Sequence, residues 1–165
     1  MRIQNVIWLL GVTTGLIGCA APAPPRGDTR SGSSAPVVFV CEHGAAKSVV
    51  AAAYFNRLAQ EHHLPLRAVA RGVTPQDQLS TSAMNGLRAD GVTSDVTKPS
   101  ALSREEAQSA LRVVSFLPLP AGMTGERPPI EWDDVPATGD GYDIARDTIV
   151  EHVKVLFEEL AKSRN

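Results

Sequence analysis

The fold prediction for this sequence starts from the residues VVFVCEHGAAKS at positions 37–48. Its first four residues form a continuous, mostly β-branched apolar run, which is typical of a strand buried on both faces. Cys41 ends this run, and a loop of small residues leads from it to a helical pattern that begins at Ser48. The stretch therefore predicts a strand, a tight loop and a helix, with the loop at the carboxyl end of the strand, where α/β proteins bind ligands.

The segments that follow predict an α/β fold. Residues 48–59 are rich in alanine and repeat Val50, Tyr54 and Leu58 at every fourth position, which indicates a helix. Residues 66–73 then alternate between apolar and polar side chains, which predicts a second strand. A strand, a helix and a strand in this order imply a parallel crossover. We therefore expect a doubly wound, mainly parallel four-stranded sheet with helices on both faces.

The rest of the chain predicts three further helices and another buried strand. They are a helix over 81–90, a helix opened by a capping box at Ser103–Glu106 and ending at Leu111, a strand over 113–116 and a terminal helix over 143–161. Residues 119–141 contain several prolines and glycines and form the one long irregular connection. Such loops often border an active site.

The N-terminus predicts export. Residues 1–18 have a basic start and an apolar run too short to span a bilayer, as in a cleaved signal peptide. They end in Leu-Ile-Gly before Cys19, which resembles the bacterial lipobox and makes Cys19 the lipidated first residue. An ordinary signal peptide cut after Ala21 and an uncleaved anchor are the alternatives. We expect a lipid-anchored protein of the bacterial cell envelope, with its domain in the periplasm and the inner leaflet of the outer membrane as the favoured site.

Composition and length limit the remaining possibilities. Residues 19–36 hold proline, glycine, serine and alanine with few large apolar side chains, which predicts a flexible tether before one domain over 37–163.

A net charge of -2 over 165 residues, without a basic run, argues against a nucleic-acid partner. We expect no cofactor, and no metal, because no His, Cys or carboxylate cluster has ligand spacing. If Cys19 carries lipid, Cys41 is the sole free thiol and cannot form an internal disulfide.

The loop after Cys41 has the composition of an oxyanion site. A turn from strand to helix directs several backbone N–H groups at one point, and Gly44 permits the left-handed backbone that such a turn needs. The Lys47 ammonium and the Ser48 hydroxyl add to this field and favour the thiolate form of Cys41. The predicted oxyanion-binding residues are Glu42, His43, Gly44, Ala45, Ala46, Lys47 and Ser48.

A hydrophobic strand, a cysteine, five residues, a basic residue and a serine resemble the low-molecular-weight protein tyrosine phosphatases and the related thioredoxin-coupled arsenate reductases. The resemblance covers about residues 37–160. It implies that Cys41 attacks phosphorus to give a phosphocysteine, that Lys47 binds the oxygens and that Ser48 stabilises the thiolate. It also implies a late Asp-Pro pair that supplies the general acid.

The sequence departs from the family pattern at two places. Lys47 stands where the family has arginine, and lysine offers a point charge in place of a planar two-pronged clamp. The late segment EWDDVPA, residues 131–137, has no Asp-Pro pair. In one alignment Asp133 or Asp134 is the acid, and we favour Asp134; in the other, Ala137 occupies the position of the acid.

Three functions follow in order of preference. The first is hydrolysis of phosphotyrosine or another phosphomonoester through Cys41, and the second is oxyanion or phosphate binding on the same scaffold without turnover. A redox sensor using the Cys41 thiol comes last. Arsenate reduction is disfavoured because it needs further cysteines. Two other side chains bear on these choices: Arg71 either adds charge near the anion or lies on the surface, and Glu42 either faces solvent or pairs with Lys47.

Overall fold

The computed structural model describes residues 35–124 and 127–164, so the predicted signal peptide and the lipidation at Cys19 lie outside the described residues, as does all but the end of the tether. Within these described ranges, four strands form one parallel sheet in the order β2-β1-β3-β4. They are β1 (Val37–Cys41), β2 (Ala68–Gly72), β3 (Arg112–Ser115) and β4 (Ile130–Glu131). The predicted α/β class and parallel sheet are confirmed.

In the part of the chain that the structure describes, four helices connect and cover these strands. They are α1 (Lys47–Glu61), α2 (Thr81–Ala89), α3 (Arg104–Ser109) and α4 (Tyr142–Lys162). Within the described ranges, no helix is apolar and long enough to cross a membrane.

The side chains of β1 alternate between two hydrophobic clusters, one on each face of the sheet. Val37, Phe39 and Cys41 belong to the larger cluster, which includes the buried stripes of α1 and α4. Val38 and Val40 belong to a smaller cluster with residues in and around α3. Because both faces are covered, β1 is fully buried, which explains its uninterrupted apolar sequence.

The predicted elements are present with small shifts at their ends. The shortest strand, β4, was not located by the sequence: it is two residues long, follows Pro128 and Pro129, and lies within the connection predicted to be irregular. The capping box at Ser103 is half formed, because Ser103 Oγ accepts from Glu106 N–H while the Glu106 carboxylate pairs with Arg71. Arg71 is thus joined to α3 on the far side of the sheet from α1.

A polar cluster joins three of the helices around Asp90, which follows α2. Its carboxylate accepts hydrogen bonds from Tyr54 of α1 at 2.7 Å, Tyr142 of α4 at 2.7 Å and Arg146 of α4 at 2.8 Å. Gly86 lets the Tyr142 ring lie against α2, since a Cβ there would come within 2.2 Å of the ring. The cluster therefore fixes α4 against α1 and α2.

Candidate functional site

The candidate nucleophile, Cys41, is the last residue of β1 and is buried. Its Sγ lies 3.1 Å from the hydroxyl of Ser48, which is fully buried in the first turn of α1. A hydroxyl at this distance can donate to a thiolate and stabilise its negative charge. The end of the strand and the start of the helix thus hold the thiol and its partner together.

The loop between Cys41 and α1 uses its carbonyl groups to bind the connection between β2 and α2. The carbonyl oxygens of Cys41, Glu42, His43 and Ala45 accept from the N–H groups of Val73, Thr74, Gln76 and Ser80, at 3.1, 2.8, 3.3 and 3.0 Å. The N–H groups of residues 42–46 donate to no acceptor within 35–124 and 127–164. Unpaired donors beside a thiol form a site suited to an oxyanion.

The first turn of α1 adds to this set of donors. The helix starts after Ala46, whose methyl group cannot accept a hydrogen bond from the helix N–H groups, and no acidic residue lies in the first turn. Most helices satisfy these donors with a side-chain cap from Ser, Thr, Asp or Asn. Here the positive end of the helix dipole stays available to an external anion.

Two glycines bring the loop against the neighbouring strand. Gly44 has a φ of +63°, and a Cβ on it would lie 2.7 Å from the backbone nitrogen of Gly72. A Cβ on Gly72 would in turn lie 2.7 Å from the nitrogen of Gly44. Only glycine at both positions permits this backbone contact, which fixes the path of the loop.

Lys47 is the residue after the loop and the first residue of α1. Its Nζ donates to the carbonyl oxygen of Val135 at 3.1 Å and lies 5.4 Å from the centre of the Phe116 ring. Glu42 is exposed, and no ion pair joins it to Lys47 in the part of the chain that the structure describes. The Lys47 charge is therefore held by the segment after β4.

A pocket of about 310 Å³ opens over Cys41. Its lining residues are Cys41, Glu42, His43, Ala45, Ala46, Lys47, Gln76, Ser80, Ala137, Thr138 and Gly139. Of the predicted oxyanion-binding residues, Gly44 and Ser48 are not among these lining residues. No sequence pattern pointed to Gln76 and Ser80, which reach the site because the β2–α2 connection runs along the loop.

The predicted acids Asp133 and Asp134 are exposed and are not among the residues that line this pocket. Asp134 instead binds His152 of α4, whose Nε2 lies 2.8 and 3.0 Å from its two carboxylate oxygens. The wall of the pocket on this side is formed by Ala137 and the two residues after it.

Arg71 lies outside the pocket, paired with Glu106 through an Nε to Oε2 hydrogen bond of 2.7 Å.

His43 lies in the pocket lining, and its Nδ1 is 3.2 Å from the carbonyl oxygen of Thr74. A carbonyl only accepts, so Nδ1 carries the proton. Among the described residues no three His, Cys, Asp or Glu side chains converge as metal ligands would.

No protein-family model and no curated protein matches this chain. Solved structures do match over most of its length. YfkJ from Bacillus subtilis superimposes with a TM-score of 0.73 at 18% identity, covering 82% of this chain and 99% of its own. An arsenate reductase from Archaeoglobus fulgidus matches with a TM-score of 0.54 at 26% identity, covering 74% of this chain and 98% of its own.

A low-molecular-weight protein tyrosine phosphatase from T. tengcongensis matches with a TM-score of 0.58 at 18% identity, over 79% of this chain and 99% of its own. The matched lengths show that the likeness extends over the whole domain and not over one βαβ unit. The resemblance drawn from the loop is confirmed at the level of the fold. This chain folds as the low-molecular-weight protein tyrosine phosphatases and arsenate reductases do, with Cys41 at the end of its first strand.

Proposed function

We propose that this protein hydrolyses phosphomonoesters, phosphotyrosine among them, through a phosphocysteine formed on Cys41. The observation that carries the proposal is the position of the Cys41 thiol. It lies 3.1 Å from the Ser48 hydroxyl, beside a loop whose N–H groups have no acceptor among the described residues. A nucleophile, a stabilising hydroxyl and an oxyanion cradle thus lie together.

In this reaction the Cys41 thiolate attacks phosphorus, an S–P bond forms and the P–O bond to the leaving group breaks. The loop N–H groups stabilise the charge on the equatorial oxygens, and Lys47 contributes its ammonium from the pocket wall. The leaving oxygen takes up a proton. Water then attacks phosphorus, releases inorganic phosphate and returns the thiolate, to which Ser48 donates a hydrogen bond.

The missing Asp-Pro pair bears on the choice of substrate. Asp134 and Asp133 remain the acids predicted from the sequence, while Ala137 lies in the pocket wall. We propose that the protein prefers aryl phosphates, because a phenol ionises near a pKa of about 10 and its anion leaves with little help from an acid. Alkyl phosphates need protonation of the leaving oxygen and should react more slowly.

A second function, oxyanion binding without turnover, is favoured by one specific observation. The Lys47 ammonium already donates to the Val135 carbonyl, and a lysine held in this way offers one point charge where a guanidinium would offer a bidentate clamp. The loop N–H groups would still bind phosphate in its ground state. Such a protein would bind phosphate or a phosphorylated partner but would not hydrolyse it.

The deciding experiment measures release of p-nitrophenol from p-nitrophenyl phosphate by the full chain, between about pH 5 and 8, with Cys41→Ser as the blank. If the protein is a phosphatase, the wild type releases p-nitrophenol and Cys41→Ser releases none. A rapid quench should also trap a phosphorylated protein in the wild type and none in the variant.

Failure of turnover separates the two functions. If phosphate raises the melting temperature of both the wild type and Cys41→Ser while neither hydrolyses the ester, the binding function stands and hydrolysis is rejected. If phosphate stabilises neither protein and no product forms, both are rejected.

We also propose that the protein is exported and carries lipid on Cys19, as its N-terminal sequence predicts. The basic start, the short apolar run of residues 1–18 and the Leu-Ile-Gly sequence before Cys19 support this proposal. Growth with a labelled fatty acid should label the wild type and leave Cys19→Ala unlabelled. Label on both proteins, or on neither, would contradict the lipoprotein proposal.

A further inference from the structure

A contact outside the pocket joins α4 to the segment that carries the pocket wall. His152 of α4 lies with its Nε2 3.0 Å from Oδ1 and 2.8 Å from Oδ2 of Asp134. Since a carboxylate only accepts, the proton of this hydrogen bond lies on Nε2. The two residues are 18 positions apart in the sequence, and the bond joins the segment between β4 and α4 to the middle of α4.

The imidazole ring is fixed from a second side. It stacks on the buried indole of Trp132, with 4.9 Å between ring centres and 20° between planes. Trp132 in turn packs against Phe39 of β1 and Phe116 after β3, at 5.5 and 5.7 Å. His152 is thus anchored on the core beside the strands that carry the site.

The segment between these contacts reaches the pocket directly. One residue after Asp134, the carbonyl of Val135 accepts the hydrogen bond from Lys47, and Val135 itself is buried. Lys47 also rests over the Phe116 ring, which touches Trp132. Two residues further on, Ala137 begins the pocket wall.

We propose that His152 and Asp134 form a latch that positions Lys47 and the 137–139 wall over Cys41. In this role Asp134 is a positioning residue, and its carboxylate is engaged with His152 rather than with a leaving group. The inference rests on the proposed function of the pocket, because it assigns the latch to the binding of an oxyanion there. Loss of the latch frees the Val135 carbonyl to move and withdraws the fixed charge of Lys47.

The test measures how well inorganic phosphate protects Cys41 of the full chain from alkylation by iodoacetamide. His152→Leu removes the hydrogen bond and should weaken protection by phosphate about tenfold, which corresponds to about 1.4 kcal/mol. His152→Gln keeps an N–H donor toward Asp134 and should recover most of this loss. Asp134→Leu should match His152→Leu, and the double variant should be no worse than either single variant.

A matched control separates positioning from general stability. Arg146 is also on α4 and binds Asp90, and among the described residues none of its hydrogen bonds or ion pairs goes to the 132–139 segment. Arg146→Gln should lower the melting temperature while leaving protection by phosphate unchanged. If Arg146→Gln weakens protection as much as His152→Leu does, or if His152→Leu leaves it unchanged, the latch is rejected.

The alkylation readout does not require turnover, so the latch and hydrolysis can fail separately. If the wild type binds phosphate but hydrolyses nothing, the comparison of variants still decides the latch. If phosphate gives no protection at all, oxyanion binding is rejected, and the latch is then judged by the alkylation rate alone, which His152→Leu should change and Arg146→Gln should not. A different result would identify Asp134 as the acid and reject its positioning role. In that case Asp134→Asn abolishes turnover of alkyl phosphates but keeps protection by phosphate, and His152→Gln keeps both.

Discussion

Ala137 lies in the wall of the Cys41 pocket, and its methyl group has no proton to donate to a leaving oxygen. An aspartate at this position would place a carboxyl group in the same wall. We predict that Ala137→Asp raises kcat for an alkyl phosphate by about a hundredfold, since a positioned general acid contributes roughly that much. The gain on p-nitrophenyl phosphate should be much smaller, because its leaving group needs little protonation.

Ala137→Asn is the matched control for this change, because it has the same size and no acidic proton. It should leave the rates of both substrates near those of the wild type. Steady-state kinetics on the two esters checks the prediction. Equal gains with aspartate and asparagine would mean that the side chain acts by shape.

Lys47 provides the second residue-scale prediction. An arginine at this position can present two parallel N–H groups to the oxygens of a transferring phosphoryl group. We expect Lys47→Arg to raise kcat on p-nitrophenyl phosphate at least tenfold and to change KM much less. Lys47→Met, which has no charge, should lower kcat/KM and weaken phosphate binding, and an unchanged kcat/KM in that variant would exclude Lys47 from the reaction.

At the scale of elements, the loop and β2 depend on the contact between Gly44 and Gly72. Gly44→Ala introduces both the strain of a φ of +63° and a Cβ 2.7 Å from the Gly72 nitrogen. Gly91 has a nearly identical φ of +64° but nothing within 4 Å of a Cβ. We predict that Gly91→Ala costs about 1 kcal/mol of unfolding free energy and Gly44→Ala about 3 kcal/mol or more.

Urea denaturation of the two variants checks this difference, and the accompanying loss of phosphate binding should occur in Gly44→Ala alone. The difference between the two free energies reports the close backbone approach, because the φ strain is shared. Equal destabilisation would mean that the loop can move away from β2 without cost.

At the scale of the whole molecule, the Asp90 cluster couples the stability of three helices to pH. Partial burial favours the neutral carboxyl, but hydrogen bonds from Tyr142, Tyr54 and Arg146 outweigh it and hold the pKa of Asp90 below its ordinary value. A carboxyl with a lowered folded-state pKa adds stability above about pH 4, and that stability is lost as pH falls through the folded-state pKa.

We predict that Asp90→Ala lowers the unfolding free energy by about 2 kcal/mol at neutral pH, because two hydroxyls and a guanidinium lose their acceptor. As pH falls below about 4 the difference from the wild type should shrink, because the Asp90 carboxyl takes up a proton in the unfolded chain before it does so in the folded chain. Denaturation curves at several pH values measure both effects. A constant difference across this range would show that Asp90 contributes through packing and not through its charge.

Much of the fold was predictable because its signals are local. The apolar run of β1, the alanine-rich pattern of α1 and the stripe of Ala145, Ile149 and Val153 on α4 each reflect which face a short segment buries. The strand β4 was not predictable in this way. Two residues carry no periodicity, and Ile130–Glu131 becomes a strand only because β3 offers it an edge to pair with.

The strand, loop and helix around Cys41 and the residue types of its site were readable from the sequence alone, because the eight residues from Cys41 to Ser48 are contiguous and their geometry follows from one strand end and one helix start. What lies opposite these residues depended on the folded chain. The contact of Lys47 with Val135 joins residues 88 positions apart, and that of Asp134 with His152 depends on how α4 docks on the sheet. Such contacts depend on packing between distant segments, so no local pattern could have shown that Ala137 lines the pocket and that Asp134 does not.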